Sequence, residues 1–314
     1  MVPLRIAHKE EIARDIVQFE LRDAEGAELA PFTAGAHLKL RTPRGLDREY
    51  SLCNDPAERD RYVILVKREQ AGRGGSSSLI DDTQPGNVLE AAAPVNDFEL
   101  PARAKNFVFI AGGIGIAPIM SMVRHLQSEP GKSFRLFYCT RAPDVTPFRE
   151  ELSAPALKGK VRIHHDDGDP DRMLDLWPVL ELRKNQEHIY CCAPRPMMQA
   201  VRDMTGHWSS AAVHFETFSK PTAVRPDDKP FKVRLARSNV ELEVPVGTTI
   251  LEAMRQHGLT VPSSCESGTC GTCRTRLLEG EADHRDLVLA EQEKGEAIMV
   301  CVSRSRSPYL VLDR

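Results

Sequence analysis

Ser263-Ser264-Cys265-Glu266-Ser267-Gly268-Thr269-Cys270-Gly271-Thr272-Cys273 carries three cysteines spaced C-x4-C-x2-C. A fourth, Cys301, follows in the apolar run Ile298-Met299-Val300-Cys301-Val302. This is the ligand spacing of a [2Fe-2S] cluster, in which four thiolates converge on two irons and one loop supplies three of them. Gly268 and Gly271 let the backbone approach inorganic sulfide. The short side chains between the ligands leave amide N–H groups free to point at sulfur. A zinc site or plain buried thiols would be the alternative. Zinc folds usually pair their cysteines as two C-x2-C knuckles, and only Cys270 and Cys273 form one here.

Upstream of this loop, Phe231-Lys232-Val233-Arg234-Leu235 and Val240-Glu241-Leu242-Glu243-Val244 flank Ser238-Asn239 and predict a hairpin. Thr248 or Thr249 caps an expected helix through Ile250–Arg255, closed by Gly258. Hairpin, helix, cysteine loop and strand follow in the order of a β-grasp ferredoxin. Residues 230–314 hold eleven Lys or Arg against twelve Asp or Glu, so recognition of a partner by this segment is expected to be local rather than steered by net charge.

Before the hairpin, residues 219–230 contain three prolines, several charges and almost nothing to bury, which predicts a tether. From about 105 to 218, apolar strands alternate with helical stretches: 107–111, 134–138, 161–164, 188–192 and 213–215. That alternation makes a parallel α/β sheet. Ala111-Gly112-Gly113-Ile114-Gly115-Ile116-Ala117-Pro118 ends the first strand and opens a helix over 119–126, bringing N–H groups and a helix start toward a pyrophosphate. From Gly113 it reads G-x-G-x-x-P, with Pro118 where the usual dinucleotide fingerprint has Gly or Ala. A glycine turn needed only for packing is the alternative.

The first hundred residues alternate apolar and polar positions, as in 36–41 and 61–67, and predict an antiparallel barrel. Arg48-Glu49-Tyr50-Ser51 ends a strand with a cation, an aromatic ring and a hydroxyl. Gly72-Arg73-Gly74-Gly75-Ser76-Ser77-Ser78 is a second glycine-rich turn before a short helix, suited to a phosphate or equally to a flexible polar loop.

At 314 residues the chain is long for one core, and two or three domains are expected. A net charge of −3 with both signs interspersed points to neither nucleic acid nor an anionic membrane. The first residues carry no signal-like apolar stretch and no segment reaches eighteen apolar residues, so a cytoplasmic chain is expected. In that reducing setting Cys53, Cys139, Cys191 and Cys192 read as packed or catalytic thiols rather than disulfides.

Taken together, the motifs resemble those of the ferredoxin-NADP reductase superfamily: a flavin signature R-x-Y-S, a nicotinamide signature G-G-x-G-x-[TA]-P, and a C-G-type motif near the hydride-transfer site, here Tyr190-Cys191-Cys192-Ala193-Pro194. More closely, the chain resembles the phthalate dioxygenase reductase family over essentially its whole length. The resemblance implies a flavin β-barrel domain (1–102), a nicotinamide α/β domain (103–220), a linker (221–229) and a [2Fe-2S] ferredoxin domain (230–314).

It further implies FMN and NADH as cofactors, and a Rieske-type aromatic oxygenase as acceptor for a chain acting as a monomer. An O-demethylase oxygenase or a soluble ferredoxin is the alternative acceptor. FMN contacts implied by the family are Arg48, Tyr50, Ser51, Val66, Lys67, Gly74, Gly75 and Ser76. Gly113, Gly115 and Ala117 fall on the nicotinamide side, with Cys192 near the hydride-transfer position and Phe218 as the aromatic residue that covers the flavin until NADH displaces it.

Glu216 reads as a nicotinamide contact or, equally, as a solvent-exposed strand-end carboxylate. Asp166, in the run 164–169, reads as the acid that accepts from the adenosine ribose or as part of a solvated turn. Ala117 stands where many members have Thr, and Ala193 where Gly is usual; both imply quantitative changes in nicotinamide docking. NADH gives two electrons at once and a [2Fe-2S] centre accepts one, so a flavin that takes a pair and releases single electrons is the expected link.

Overall fold

The computed structural model describes residues 1–70, 74–218 and 224–314. The chain divides into two compact units, Met1–Met204 and Thr205–Arg314.

The first unit opens with strands β1 (Val2–Ala13), β2 (Ile16–Asp23), β3 (His37–Arg41), β4 (Asp47–Ser51), β5 (Tyr62–Lys67), helix α1 (Gly75–Asp81) and strand β6 (Val88–Ala91). The strands form one antiparallel sheet ordered β4-β3-β6-β1-β2-β5. A bridge between Leu52 and Ile64 joins its two edges, so the sheet closes as the expected barrel. Leu4, Ile6, Phe19, Leu21, Leu38 and Leu40 alternate inward and fill it.

There follow β7 (Asn106–Gly112), α2 (Ile116–Gln127), β8 (Ser133–Thr140), α3 (Arg149–Leu152), β9 (Val161–His165), α4 (Trp177–Leu180), β10 (Glu187–Cys192) and α5 (Arg195–Met204). The four strands run parallel in the order β10-β7-β8-β9. After β9 the chain returns to the far side of β7, and that reversal opens a crevice beyond the carboxyl ends of β7 and β10. The α2 helix starts three residues earlier than its apolar period predicts, because Pro118 is tolerated in a first turn whose N–H groups have no intrahelical partner. One apolar core runs through both halves of this unit: Ile16, Cys53, Val63 and Leu65 of the barrel pack with Phe107, Phe109, Met122 and Val123.

The second unit carries β11 (Val213–Glu216), β12 (Phe231–Leu235), β13 (Val240–Val244), α6 (Ile250–Gln256), β14 (Arg274–Glu279), β15 (Ala282–Asp283), β16 (Ala297–Met299), β17 (Arg304–Ser305) and β18 (Tyr309–Leu312). The hairpin pairs Leu235 with Val240 as expected, and Asn239 at its tip adopts φ 53°. The sheet runs β13-β12-β18-β14-β16, with β12 and β18 parallel. Thr249 caps α6: its hydroxyl accepts from the Glu252 N–H, and the Glu252 carboxylate accepts from the Thr249 N–H.

The expected tether differs from its reading. Residues 219–223 lie outside the described residues, but Asp228 is buried against Arg285 and Arg304, and Arg304 also donates to the Lys229 carbonyl at 3.1 Å. Charge pairing supplies the burial that apolar side chains could not, so Arg225–Lys229 belongs to the ferredoxin-like unit.

Candidate functional site

The residues expected to carry the chemistry fall into three groups. In the barrel, Arg48 and Tyr50 share one face of β4 opposite Leu40 and Leu38, and Glu49 between them is exposed. Burial pushes the Tyr50 hydroxyl up to about 12, against the pull of Arg48. Gly74 has φ 81° and precedes α1; a Cβ on Gly75 would lie 2.5 Å from Arg48 Nε. The R-x-Y-S strand and the second glycine turn, far apart in sequence, therefore meet with the arginine lying across the glycine.

Ser76 Oγ accepts from the Glu69 N–H at 3.1 Å, tying the turn to the end of β5. Val66 is buried on β5, while Lys67 is exposed and paired with Glu69 at 3.1 Å. Ser51 is buried at the end of β4. Gly72 and Arg73 lie outside the described residues. Arg44, which the sequence did not single out, sits 3.9 Å from the position a Gly74 Cβ would take and pairs with Asp82.

At the crevice of the parallel sheet, the turn after β7 meets the segment after β10. A Cβ on Gly115 would overlap the Cys192 carbonyl and sit 3.1 Å from its Sγ; one on Gly112 would lie 2.5 Å from Pro194 Cδ. Gly113, at φ 54°, faces open space, and its carbonyl accepts from Tyr138 Oη at 3.1 Å. That combination fits a dinucleotide: two glycines admit a neighbouring strand, and the one between them leaves its backbone open to a ligand.

Ala117 is buried on α2. Cys192 lies in the core cluster shared with α2, whereas Cys191 is paired in register with Ile110 on the other face, where burial raises its thiol well above the usual range. Asp166 follows β9 at the same end of the sheet; its Oδ1 accepts from the Gly168 N–H at 2.8 Å, closing a turn beside His165, whose Nδ1 is 2.8 Å from Thr140 Oγ1. Glu216 and Phe218 belong to the second unit, Glu216 as the last residue of β11 and Phe218 exposed two residues on.

Three of the four thiols stand on the cysteine loop and Cys301 follows β16; the Ser267 N–H donates to Cys265 Sγ at 3.4 Å and Cys270 Sγ donates to Thr272 Oγ1 at 3.2 Å. The neighbouring Cys270, with the Ser267 N–H, lowers the Cys265 thiol to about 4, and the neighbouring Cys301 lowers that of Cys273. Backbone N–H groups of Thr272 and Gly268 turn toward Cys270 and Cys301. Cys273 and Cys301 are buried, and Cys265 and Cys270 half-buried. Among the described residues no three His, Cys, Asp or Glu side chains gather on one ion. Four thiols with amide donors turned toward them fit the donor set of a [2Fe-2S] cluster. At the rim, Arg255 Nη2 donates to Ser263 Oγ at 2.6 Å and to Glu266.

Residues 3–100 match the oxidoreductase FAD-binding domain, 109–203 the oxidoreductase NAD-binding domain, and 233–306 the 2Fe-2S iron-sulfur cluster binding domain. The chain is thus a flavin- and iron-sulfur-dependent NADH oxidoreductase. It is 54% identical over 310 residues to phthalate dioxygenase reductase of Burkholderia cepacia, covering 99% of this chain and 96% of that one. It is 52% identical over 310 residues to the phthalate 4,5-dioxygenase oxygenase reductase subunit of Pseudomonas putida, with the same coverage. The solved structure of a phthalate dioxygenase reductase, described as a modular structure for electron transfer from pyridine nucleotides to [2Fe-2S], superposes with a TM-score of 0.72 over 100% of this chain and 98% of the other, at 54% identity. The chain belongs to the phthalate dioxygenase reductase family and carries flavin-binding, NAD-binding and 2Fe-2S domains. No helix among the described residues is long and apolar enough to cross a membrane.

Proposed function

We propose that this chain passes electrons from NADH to a Rieske-type aromatic oxygenase of the phthalate dioxygenase kind. The observation that carries this reading is the near full-length identity with reductases that serve phthalate oxygenases, in the same domain order. Residues 1–102 then hold FMN, 103–220 bind NADH and 230–314 carry the cluster, with Arg225–Lys229 of the expected linker 221–229 held on the cluster-bearing unit. When bound, NADH supplies a hydride, FMN divides the pair, and the cluster takes single electrons.

The chain's own residues position and stabilise. Arg48 opposes the negative charge of the reduced flavin, a preorganised electrostatic role supported by its place across Gly75. Tyr50, Ser51, Val66 and Lys67 flank the ring and ribityl chain, and Gly74, Gly75 and Ser76 hold the phosphate. Gly113, Gly115 and Ala117 receive the dinucleotide at the crevice, Cys192 orients the nicotinamide, and Asp166 offers its second carboxylate oxygen to a ribose hydroxyl. Glu216 and Phe218 are assigned to the nicotinamide side by resemblance alone.

In the cluster domain, Cys265, Cys270, Cys273 and Cys301 would hold the [2Fe-2S] cluster, which would accept and pass on single electrons. The half-buried pair marks the side from which electrons leave. We take the chain to act as a cytoplasmic monomer.

Anaerobic NADH is expected to bleach flavin and iron-sulfur absorbance together. Adding a phthalate dioxygenase oxygenase component, phthalate and dioxygen then restores colour with product formation. A colourless protein sinks the whole reading; bleaching without turnover by that oxygenase, alongside intact cytochrome c reduction, sinks the assignment of the partner.

A further inference from the structure

A polar brace joins the two nucleotide-binding motifs of the first unit. The α2 helix opens directly from the Gly113–Gly115 turn, and two of its side chains reach the backbone just beyond the R-x-Y-S strand. Ser121 Oγ donates to the Asn54 carbonyl at 2.8 Å, and Arg124 Nη1 donates to the Cys53 carbonyl at 2.6 Å. Ser121 and Asn54 are fully buried. Glu151 on α3 grips Arg124 from the other side, with Nε to Oε1 at 2.9 Å and Nη2 to Oε2 at 2.6 Å; the guanidinium also lies over the Phe148 ring at 4.9 Å. The receiving end is stiff as well: the Asn54 side chain accepts from the Val63 N–H at 3.0 Å and donates to the Arg61 carbonyl at 3.1 Å.

We propose that Arg124, assisted by Ser121, is a positioning residue for hydride transfer, setting the distance between the nicotinamide turn and the flavin strand. The proposal rests on the reading of those two motifs as the NADH and FMN sites. Hydride transfer requires reacting atoms about 3–3.5 Å apart, and a displacement of about 1 Å costs up to about 100-fold in rate. The apolar core shared by barrel and sheet holds them together without direction. A charge-assisted hydrogen bond from Arg124 to the Cys53 carbonyl and a neutral one from Ser121 to the next carbonyl, Asn54, supply the missing direction.

The test is anaerobic stopped-flow bleaching of the holoenzyme flavin by NADH, separating the limiting rate from the apparent dissociation constant. Amide hydrogen exchange across 116–127 is measured in parallel. Arg124→Met is expected to lower the limiting rate roughly 10- to 100-fold, leave the dissociation constant within about threefold, keep the full flavin content, and speed exchange in α2. Arg124→Lys recovers part of the rate, because an ammonium reaches the Cys53 carbonyl but cannot span both Glu151 oxygens.

An unchanged limiting rate in Arg124→Met overturns the proposal, as does a rate loss explained wholly by lost FMN. Should Arg124→Met fail to fold, Ser121→Ala and Glu151→Gln decide: slowing of a few-fold at full flavin content in either supports the brace, and wild-type rates in both overturn it. A wild-type protein that NADH does not bleach defeats the functional reading instead, so the two failures are distinct.

Discussion

The turn Gly112–Gly115 and the loop Gly268–Gly271 are both proposed ligand-facing turns, and each needs glycine for a different reason. In the first, the requirement comes from a strand distant in sequence: the end of β10 arrives so closely that a Cβ on Gly115 would meet the Cys192 carbonyl carbon at 2.6 Å. In the second it comes from the local path of the chain, with φ 77° at Gly268 and 84° at Gly271, and nothing nearer than 3.4 Å to a Gly271 Cβ. Gly268 also feels its surroundings, since a Cβ there would lie 2.7 Å from Val302 and 3.1 Å from Asp286 Cα. A local requirement can be read from spacing; one imposed by a distant strand cannot.

The largest effect should come from the cluster loop itself. Cys270→Ser is expected to abolish cytochrome c reduction and the iron-sulfur absorbance, while NADH bleaches the flavin at a rate within about twofold of wild type. If flavin reduction fails first, the order of electron flow is wrong. Next, Gly115→Ala should cost about 3 kcal/mol or more, because the atoms it meets are backbone and cannot swing aside. Urea unfolding of the first unit measures this, and NADH bleaching should fall with it.

Asp228→Asn asks how far the cluster loop depends on contacts outside itself. Arg285, its partner, adjoins Asp286, whose Cα lies beside Gly268. Hydrogen bonding to Arg285 depresses the Asp228 carboxyl to about 2 in the folded chain, against an ordinary 3.8. A depressed folded value means the stabilisation is present above pH 3.8 and is lost as pH falls toward 2. At neutral pH the variant should lose about 3 kcal/mol, and its difference in melting temperature from wild type should shrink over that acid window. The smallest effect is expected at Gly271→Ala, about 1–2 kcal/mol from left-handed backbone alone, with cluster absorbance kept. A Gly271→Ala defect as large as that of Gly115→Ala would dissolve the contrast between the two turns.

Strand periods, the Cys265–Cys273 spacing and the Thr249 cap were legible because each is written within a dozen residues, the range over which backbone geometry and side-chain alternation act. Arg44, Arg124 and Ser121 were not, because nothing in a solvent-facing or helical sequence position says which carbonyl a long side chain will reach. The run 225–229 read as unstructured for a related reason: its burial depends on Arg285 and Arg304, far along the chain.

By itself, then, the sequence determined the three kinds of domain and the order of their motifs, since periodicity and ligand spacing are local properties. Only the tertiary structure decided that Arg48 lies across Gly75 and that Gly115 abuts Cys192 where the strand order reverses. Those meetings are made by packing between segments far apart in the chain, and no short-range rule specifies them.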